Sequence, residues 1–492
     1  MILILGAASL AVSGISIPNA VGSFSLMSQV DALILSCACG GAGLSLTFLG
    51  MVGFAIFRCR NNKKTDQLGF VERAILPSPD QDFKAFKHRI MAKYSVDADG
   101  QLVAKKTNLQ TGLSAHSLKR FIKDSKNAFA QKRADSETSI VTFYKRKITF
   151  YKNVDGNLFI ASKTNDGAWQ LYWKQNSSKD LGAGQFGSVR VVLNLKKARE
   201  DALKSALEDN KDCLKNEDVS LNLPGVEGMG IQAPSTAFVD PSKDVPAFMI
   251  GKLYEGSLVK KANPRTPIML TLKEGLRCAY HLLTGLERGH RIGLIFGDRK
   301  AENVLFINEQ RYDLADLGGT YINFEVEKRL KTNGSIDLLR NIHYVFGEDL
   351  IAEREALRAQ NIKLFILILQ KQDVLAVGIT LWEVLTGKNF PTTETKYQGG
   401  DRRKEKELDL YSSTKEYLLH AAHLKPRTKK ALLALLEPRH KKRPAAGQAL
   451  KSFKTALAKD YKEYYLEFLQ QEQIEQARVA AKQAYRARKR QQ

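Results

Sequence analysis

The chain is 492 residues long, with 76 Lys and Arg against 52 Asp and Glu for a formal net charge of +24, and 43% of it is hydrophobic. That apolar share excludes a wholly disordered chain, and the length leaves room for more than one folded unit. The basic excess raises nucleic acid or anionic lipid as partners, but no zinc-finger, helix-turn-helix or aromatic RNA-binding signature accompanies it, so no specific nucleic acid is expected.

In chain order, the first element is a hydrophobic segment, 1–60. Its first 57 residues carry a single charge, Asp31, and the apolar run 32–57 exceeds the roughly 20 residues that a spanning helix needs. The sequence predicts a transmembrane helix here, or a two-span hairpin if 1–17 is counted, with Pro18-Asn19 and Gly22-Ser23 as the turn. Arg58, Arg60, Lys63 and Lys64 follow at once, which places the remainder on the cytosolic side. Residues 65–174 read as a small domain of mixed helix and strand. Leu118, Phe121, Ile122, Ala128 and Phe129 have helical spacing, and 140–144, 148–151 and 158–160 read as strands with Asp155-Gly156 and Asp166-Gly167 as hairpin turns.

Next comes Leu181-Gly182-Ala183-Gly184-Gln185-Phe186-Gly187-Ser188-Val189, flanked by strand patterns on both sides. Glycines at Gly182, Gly184 and Gly187 let a backbone approach phosphates closely, while Phe186 can cap the loop and Val189 can lie on a purine face. Strand on both flanks argues against a Rossmann turn, where a helix follows. Downstream, Leu294 to Phe306 sets Asp298, Lys300 and Asn303 in a polar loop between apolar runs, and Asp316-Leu317-Gly318 follows. Such a loop would aim Asp298, Asn303 and Asp316 into one cleft, which suits an acceptor base and two Mg²⁺ ligands in phosphoryl transfer.

These motifs, in this order, resemble the eukaryotic-type Ser/Thr protein kinase family over 171–457. The resemblance implies an α+β, two-lobed kinase fold, with a small lobe over 175–258, a large lobe over 259–460 and a basic tail over 461–492. It implies ATP with Mg²⁺ or Mn²⁺, and protein substrates. Asp298 would orient the substrate hydroxyl, Lys300 would neutralise the transferring phosphoryl, and Asn303 with Asp316 would hold the metal. Ala202 and Lys204 fall where the family's third strand presents its phosphate-pairing lysine, although 198–209 also reads as a helix and Lys196 and Lys197 are rivals. Ile250 would stand as gatekeeper, with the backbone of Gly251 to Leu253 at the adenine edge. Asp373 would open the buried central helix, its carboxylate capping it or holding the catalytic-loop backbone, and Glu348 would pair with Arg443.

Departures from the family pattern matter too. Phe296 and Gly297 replace the His and Arg that precede the catalytic Asp, so the arginine that gathers an activation-loop phosphate is missing. No helix-C glutamate stands at a persuasive offset, with Glu208 and Glu217 as candidates. A further helix is expected over 352–369. Since all four catalytic parts are present, the expectation is an active, membrane-anchored kinase; the alternative is a catalytically weak pseudokinase that serves as a membrane scaffold, and third a basic adaptor. The five cysteines, Cys37, Cys39, Cys59, Cys213 and Cys278, show no spacing for zinc or a disulfide framework. The bilobed hydrophobic segment also resembles that of inclusion-membrane proteins of chlamydia-like bacteria, which would make this a bacterial kinase facing a host cytosol; otherwise a bacterial inner membrane would hold it.

Overall fold

The computed structural model describes residues 88–131, 139–144, 147–154, 157–163, 169–174, 180–184, 187–206, 211–238, 248–260, 263–334, 336, 345–390, 412–414, 416 and 423–491. The chain divides into two units, Met1–Asp82 and Phe83–Gln492, and every described residue belongs to the second. The hydrophobic segment 1–60 and its basic flank therefore lie outside the described residues.

Strands β1 (Tyr94–Val96), β2 (Gln101–Ala104) and β3 (Leu109–Ser114) form an antiparallel meander that runs into helix α1 (Ala115–Gln131). Four strands follow in succession, β4 (Ser139–Tyr144), β5 (Lys147–Val154), β6 (Asn157–Lys163) and β7 (Trp169–Lys174), each antiparallel to the last. In β6 and β7 the aromatic and aliphatic residues suit a pleated sheet covered on both faces, with Phe159, Ala161, Leu171 and Trp173 buried on one side and Ile160 and Tyr172 on the other. Next come β8 (Asp180–Gly184), β9 (Gly187–Asn194) and β10 (Arg199–Ala206), helix α2 (Lys211–Leu221), and strands β11 (Thr236–Phe238) and β12 (Phe248–Lys252). All nine strands from β4 to β12 share one sheet, because β7 pairs with β9 through Tyr172↔Asn194 and Trp173↔Leu193. Helix α1 lays Leu118, Phe121 and Ile122 over Phe159, Leu171, Trp173, Leu193 and Leu195, with the Phe121 and Phe159 rings stacked at 4.5 Å.

The second half is mostly helical. Short strands β13 (Gly256–Ser257), β14 (Val259–Lys260) and β15 (Asn263–Pro267) lead to helix α3 (Leu272–Arg291). A capping box starts α3: Glu274 N–H donates to Thr271 Oγ1, and Thr271 N–H donates to Glu274 Oε2 at 2.8 Å. Strands β16 (Leu294–Ile295), β17 (Val304–Ile307), β18 (Arg311–Leu314) and β19 (Tyr321–Ile322) follow, then helices α4 (Asn323–Asn333), α5 (Gly347–Arg358), α6 (Ile362–Thr386), α7 (Pro426–Leu435), α8 (Ala446–Asp460) and α9 (Lys462–Gln491).

Helix α6 is apolar all round and sits in the core, as such a helix must in water. Among the described residues it alone is long and apolar enough to cross a membrane, and it is mostly buried. The expected inserted helix over 352–369 is instead two helices, α5 and the first half of α6, parted at Gln360, which adopts a positive φ, and capped by Asn361, whose side chain accepts from Leu364 N–H. Asp373 accordingly stands in the middle of α6 and not at its start. Helices α4, α5 and α6 share an apolar cluster of their own, built from Val326, Leu330, Ala356, Phe365 and Ile368 around Ile295.

Candidate active site

Strands β8 and β9 form the glycine-rich hairpin, with Gly182 opposite Val189 and Gly184 opposite Gly187. Gln185 and Phe186, between them in sequence, lie outside the described residues. Gly187 has φ +153°, and a Cβ there would stand 1.9 Å from Ser205 O, so only glycine fits. At Gly182 a Cβ would meet nothing within 4 Å among the described residues.

Residues 199–206 form strand β10, not the alternative helix, and the register pairs Lys204 with both Val189 and Met249. Directly paired residues share a face, so Val189, Ala202, Lys204 and Gly251 all lie on one side of the sheet. Lys204 Nζ is 2.7 Å from Glu217 Oε2 and 2.7 Å from Asp316 Oδ1. Of the two candidate glutamates, Glu217 is therefore the one that pairs with the lysine. Glu217 comes from α2, whose Leu214 and Leu221 anchor it in the main core, and that apolar pattern was the available signal. Burial pushes the Lys204 ammonium down, but the Glu217 and Asp316 carboxylates outweigh it and raise the group above its ordinary range. Burial also pushes the Asp316 carboxyl up, yet Lys204, Arg299 and Lys300 prevail and hold it ionised below its usual range.

The loop between β16 and β17 holds the next group. Asn303 Nδ2 donates to Asp298 O at 2.8 Å and to Asp298 Oδ2 at 3.0 Å, which fixes the two side chains against each other. Lys300 Nζ lies 3.4 Å from Asp298 Oδ2 and 3.0 Å from Glu302 Oε2, and these carboxylates hold its ammonium above the ordinary range against the opposing effect of burial. Beneath the loop, Asp373 accepts from Phe296 N–H and Gly297 N–H, both at 2.9 Å, and its Oδ2 lies 3.0 Å from His290 Nε2. The Asp373 carboxylate thus holds the backbone of this loop, as expected, but from the middle of its helix and not from its start. Phe296 is fully buried with Leu317 in the main core. Its ring sits against Gly289, where a Cβ would stand 2.4 Å from ring carbons.

Two expectations shift by one residue. Ile250 pairs with Leu203 and faces a separate apolar cluster on the side of the sheet away from Lys204. Gly251, opposite Ala202, occupies the position on the Lys204 side that was expected of Ile250, and it carries no side chain. Leu253 follows the end of β12 and is half-buried. Arg443 pairs with Asp349 Oδ2 at 3.0 Å, not with Glu348, and both side chains are fully buried. Burial pushes the Asp349 carboxyl up to about 6, with Arg443 opposing. Behind Leu253, Tyr254 Oη donates to Asp313 Oδ2 at 2.9 Å, and Asp313 also accepts from Gly230 N–H and Arg311 Nε. Asp313 stands between Tyr312 and Leu314 in strand β18, buried among them, which is the legible sign of this network.

The polar groups converge on one chemistry. Asn303 spends its amide donors on Asp298, which leaves its oxygen for a cation, and Asp316 offers an ionised carboxylate beside it. Two hard oxygen ligands suit Mg²⁺ or Mn²⁺, which take the rest of their shell from phosphates and water. Among the described residues no group of three or more His, Cys, Asp or Glu could hold a metal, so a cation here would rely on those phosphates.

Comparison with known proteins points the same way. The protein kinase domain matches residues 175–453. A serine/threonine/tyrosine-protein kinase of Arabidopsis thaliana is 26% identical over 151 residues, which is 30% of this chain and 34% of that protein. A putative serine/threonine-protein kinase/receptor of Acanthamoeba polyphaga mimivirus is 28% identical over 232 residues, 45% of this chain and 13% of that protein. The chain thus spans well under half the length of these curated relatives. The kinase domain match covers more than half of the sequence, and the chain belongs to the protein kinase domain family.

Proposed function

We propose that the chain transfers the γ-phosphoryl group of ATP to Ser or Thr hydroxyls of proteins. The observation that carries this reading is Lys204 bridging Glu217 and Asp316 beside a hydrogen-bonded Asp298–Asn303 pair. Kinase-fold proteins that have lost transfer usually lack one of these parts. ATP bound with a divalent cation would bring the phosphoryl group and neutralise its charge, with Asn303 and Asp316 as the protein ligands. The glycine hairpin would cover the phosphates, Lys204 would steady them, and the backbone from Gly251 to Leu253 would face the base. Asp298 would orient the hydroxyl and take its proton, while Lys300 would offset charge on the group in flight. Such catalysis is positioning and charge compensation. The apolar run 32–57 with its basic flank supports attachment to a membrane, with this site on the cytosolic side.

Full-length protein incubated with labelled ATP and Mg²⁺ beside its Asp298→Asn variant tests the reading. Label appearing on Ser or Thr with the wild type and lost with the variant is the expected result. Metal-dependent nucleotide binding without transfer would favour a scaffold instead, and no such binding would end the proposal. Flotation of the full chain with liposomes, abolished when 1–60 are removed, tests the attachment.

A further inference from the structure

Arg299 is among the largest fully buried side chains, at 1% exposure, although its charged neighbours in the same loop, Asp298, Lys300 and Glu302, are partly exposed. A buried guanidinium normally finds a carboxylate. Among the described residues all its hydrogen-bond partners are main-chain carbonyls, and the carboxylates near it act only through their charge. Nη1 donates to Ala315 O at 2.8 Å, and Nη2 donates to Asp316 O at 3.1 Å and to Phe296 O at 3.4 Å. Its guanidinium lies over the Phe296 ring, 5.2 Å from the centroid. Phe296 is in turn fixed by Asp373 through its N–H.

The residue at the far end of this connection is strained. Asp316 adopts the left-handed conformation, φ 55° and ψ 62°, which a non-glycine residue holds only where its surroundings impose it. The planar fork of Arg299 grips the carbonyls on either side of the Asp316 N–Cα bond, while Lys204 grips its carboxylate. Backbone and side chain of Asp316 are thereby held from two directions. Among the described residues Nε of Arg299 has no hydrogen-bond partner, so the side chain is oriented for the two Asp316-side carbonyls and not for its own full satisfaction.

We propose that Arg299 is a positioning residue that locks the strained Asp316 backbone so that the Asp316 carboxylate stays turned toward the cation. This rests on the kinase reading of the site, but it concerns metal affinity and can be judged without turnover. The fork matches two successive carbonyls; a lysine reaches one of them and a methionine neither.

The test compares full-length wild type, Arg299→Lys and Arg299→Met. Thermal melting checks folding, Mn²⁺ binding is read by electron paramagnetic resonance with a non-hydrolysable ATP analogue present, and binding of the same analogue is read in EDTA. Support would be Mn²⁺ affinity weakened about 10–100-fold in Arg299→Met, the range for losing a group that orients a metal ligand, with Arg299→Lys between and metal-free nucleotide affinity within about twofold of wild type. Mn²⁺ affinity unchanged in a folded Arg299→Met protein, or both affinities falling in step, would overturn the proposal. If Arg299→Met does not melt cooperatively, Arg299→Lys decides, and unchanged Mn²⁺ affinity there overturns it equally. Wild type that binds Mn²⁺ and nucleotide but never transfers phosphate would sink the kinase reading while leaving this one to stand on the variants.

Discussion

Lys204 of β10 and Glu217 of α2 meet at 2.7 Å, which fixes helix α2 against the sheet and leaves the lysine between two carboxylates. A charged donor aimed at phosphates in a partly dry cleft is worth far more than one in water. Lys204→Met should therefore lower kcat/KM by about 10²-fold or more, with Glu217→Gln losing less because the Asp316 contact persists. Steady-state assays of both variants check the order; equal losses would mean that Glu217 does more than orient the lysine.

Asp373 gathers two loop N–H groups and His290 from the middle of α6. Hydrogen bonds to a charged acceptor contribute roughly 1.5–3 kcal/mol each, so Asp373→Ala should cost several kcal/mol and blunt transfer together. Denaturant unfolding and activity measured on the same preparation will show whether the two losses appear jointly.

Arg443 and Asp349 are a fully buried pair. Removing one partner strands the other, at about 3–5 kcal/mol. Arg443→Met should lose stability of that order, and adding Asp349→Leu to it should recover a large part. A double-mutant cycle by chemical unfolding measures this, and a further loss in the double variant would contradict it.

His281 is buried, and its Nδ1 accepts from Tyr312 N–H at 3.1 Å. Burial, then Arg311 and Arg277, push the imidazole down to about 3. Below about 6.5 the unfolded chain takes up the proton and the folded chain does not, so this group favours unfolding as pH falls from about 6.5 toward 3. Above that window it adds no slope. Between pH 6.5 and 5.5 the wild type should lose roughly 1 kcal/mol more than His281→Gln, whose amide can still accept but does not titrate. Unfolding free energies at the two pH values give the comparison directly.

The motifs with fixed local geometry were legible in the sequence. Gly187 is demanded by its own φ, and the loop from Asp298 to Asn303 closes on itself through a side-chain pair five residues apart. Contacts set by tertiary register were not. Whether Ile250 or Gly251 faces the cleft depends on how β12 pairs with β10, and a slip of one residue turns every side chain to the other face. Glu217 was hidden among neighbouring acids and lysines because only the docking of α2 selects it. Helix α6 carries no periodicity to place Asp373, since an all-apolar helix shows no preferred face.

The union of β7 with β9 has a practical consequence for cutting the molecule. Family similarity begins at residue 175, yet β9 draws Trp173 and Tyr172 as its partners from before that point, and Leu193 and Leu195 are covered by α1. A fragment begun at 175 would expose a raw strand edge and an apolar patch, both of which invite aggregation. Truncation at the family boundary should therefore yield insoluble protein, whereas a fragment begun near residue 83 keeps the edge closed.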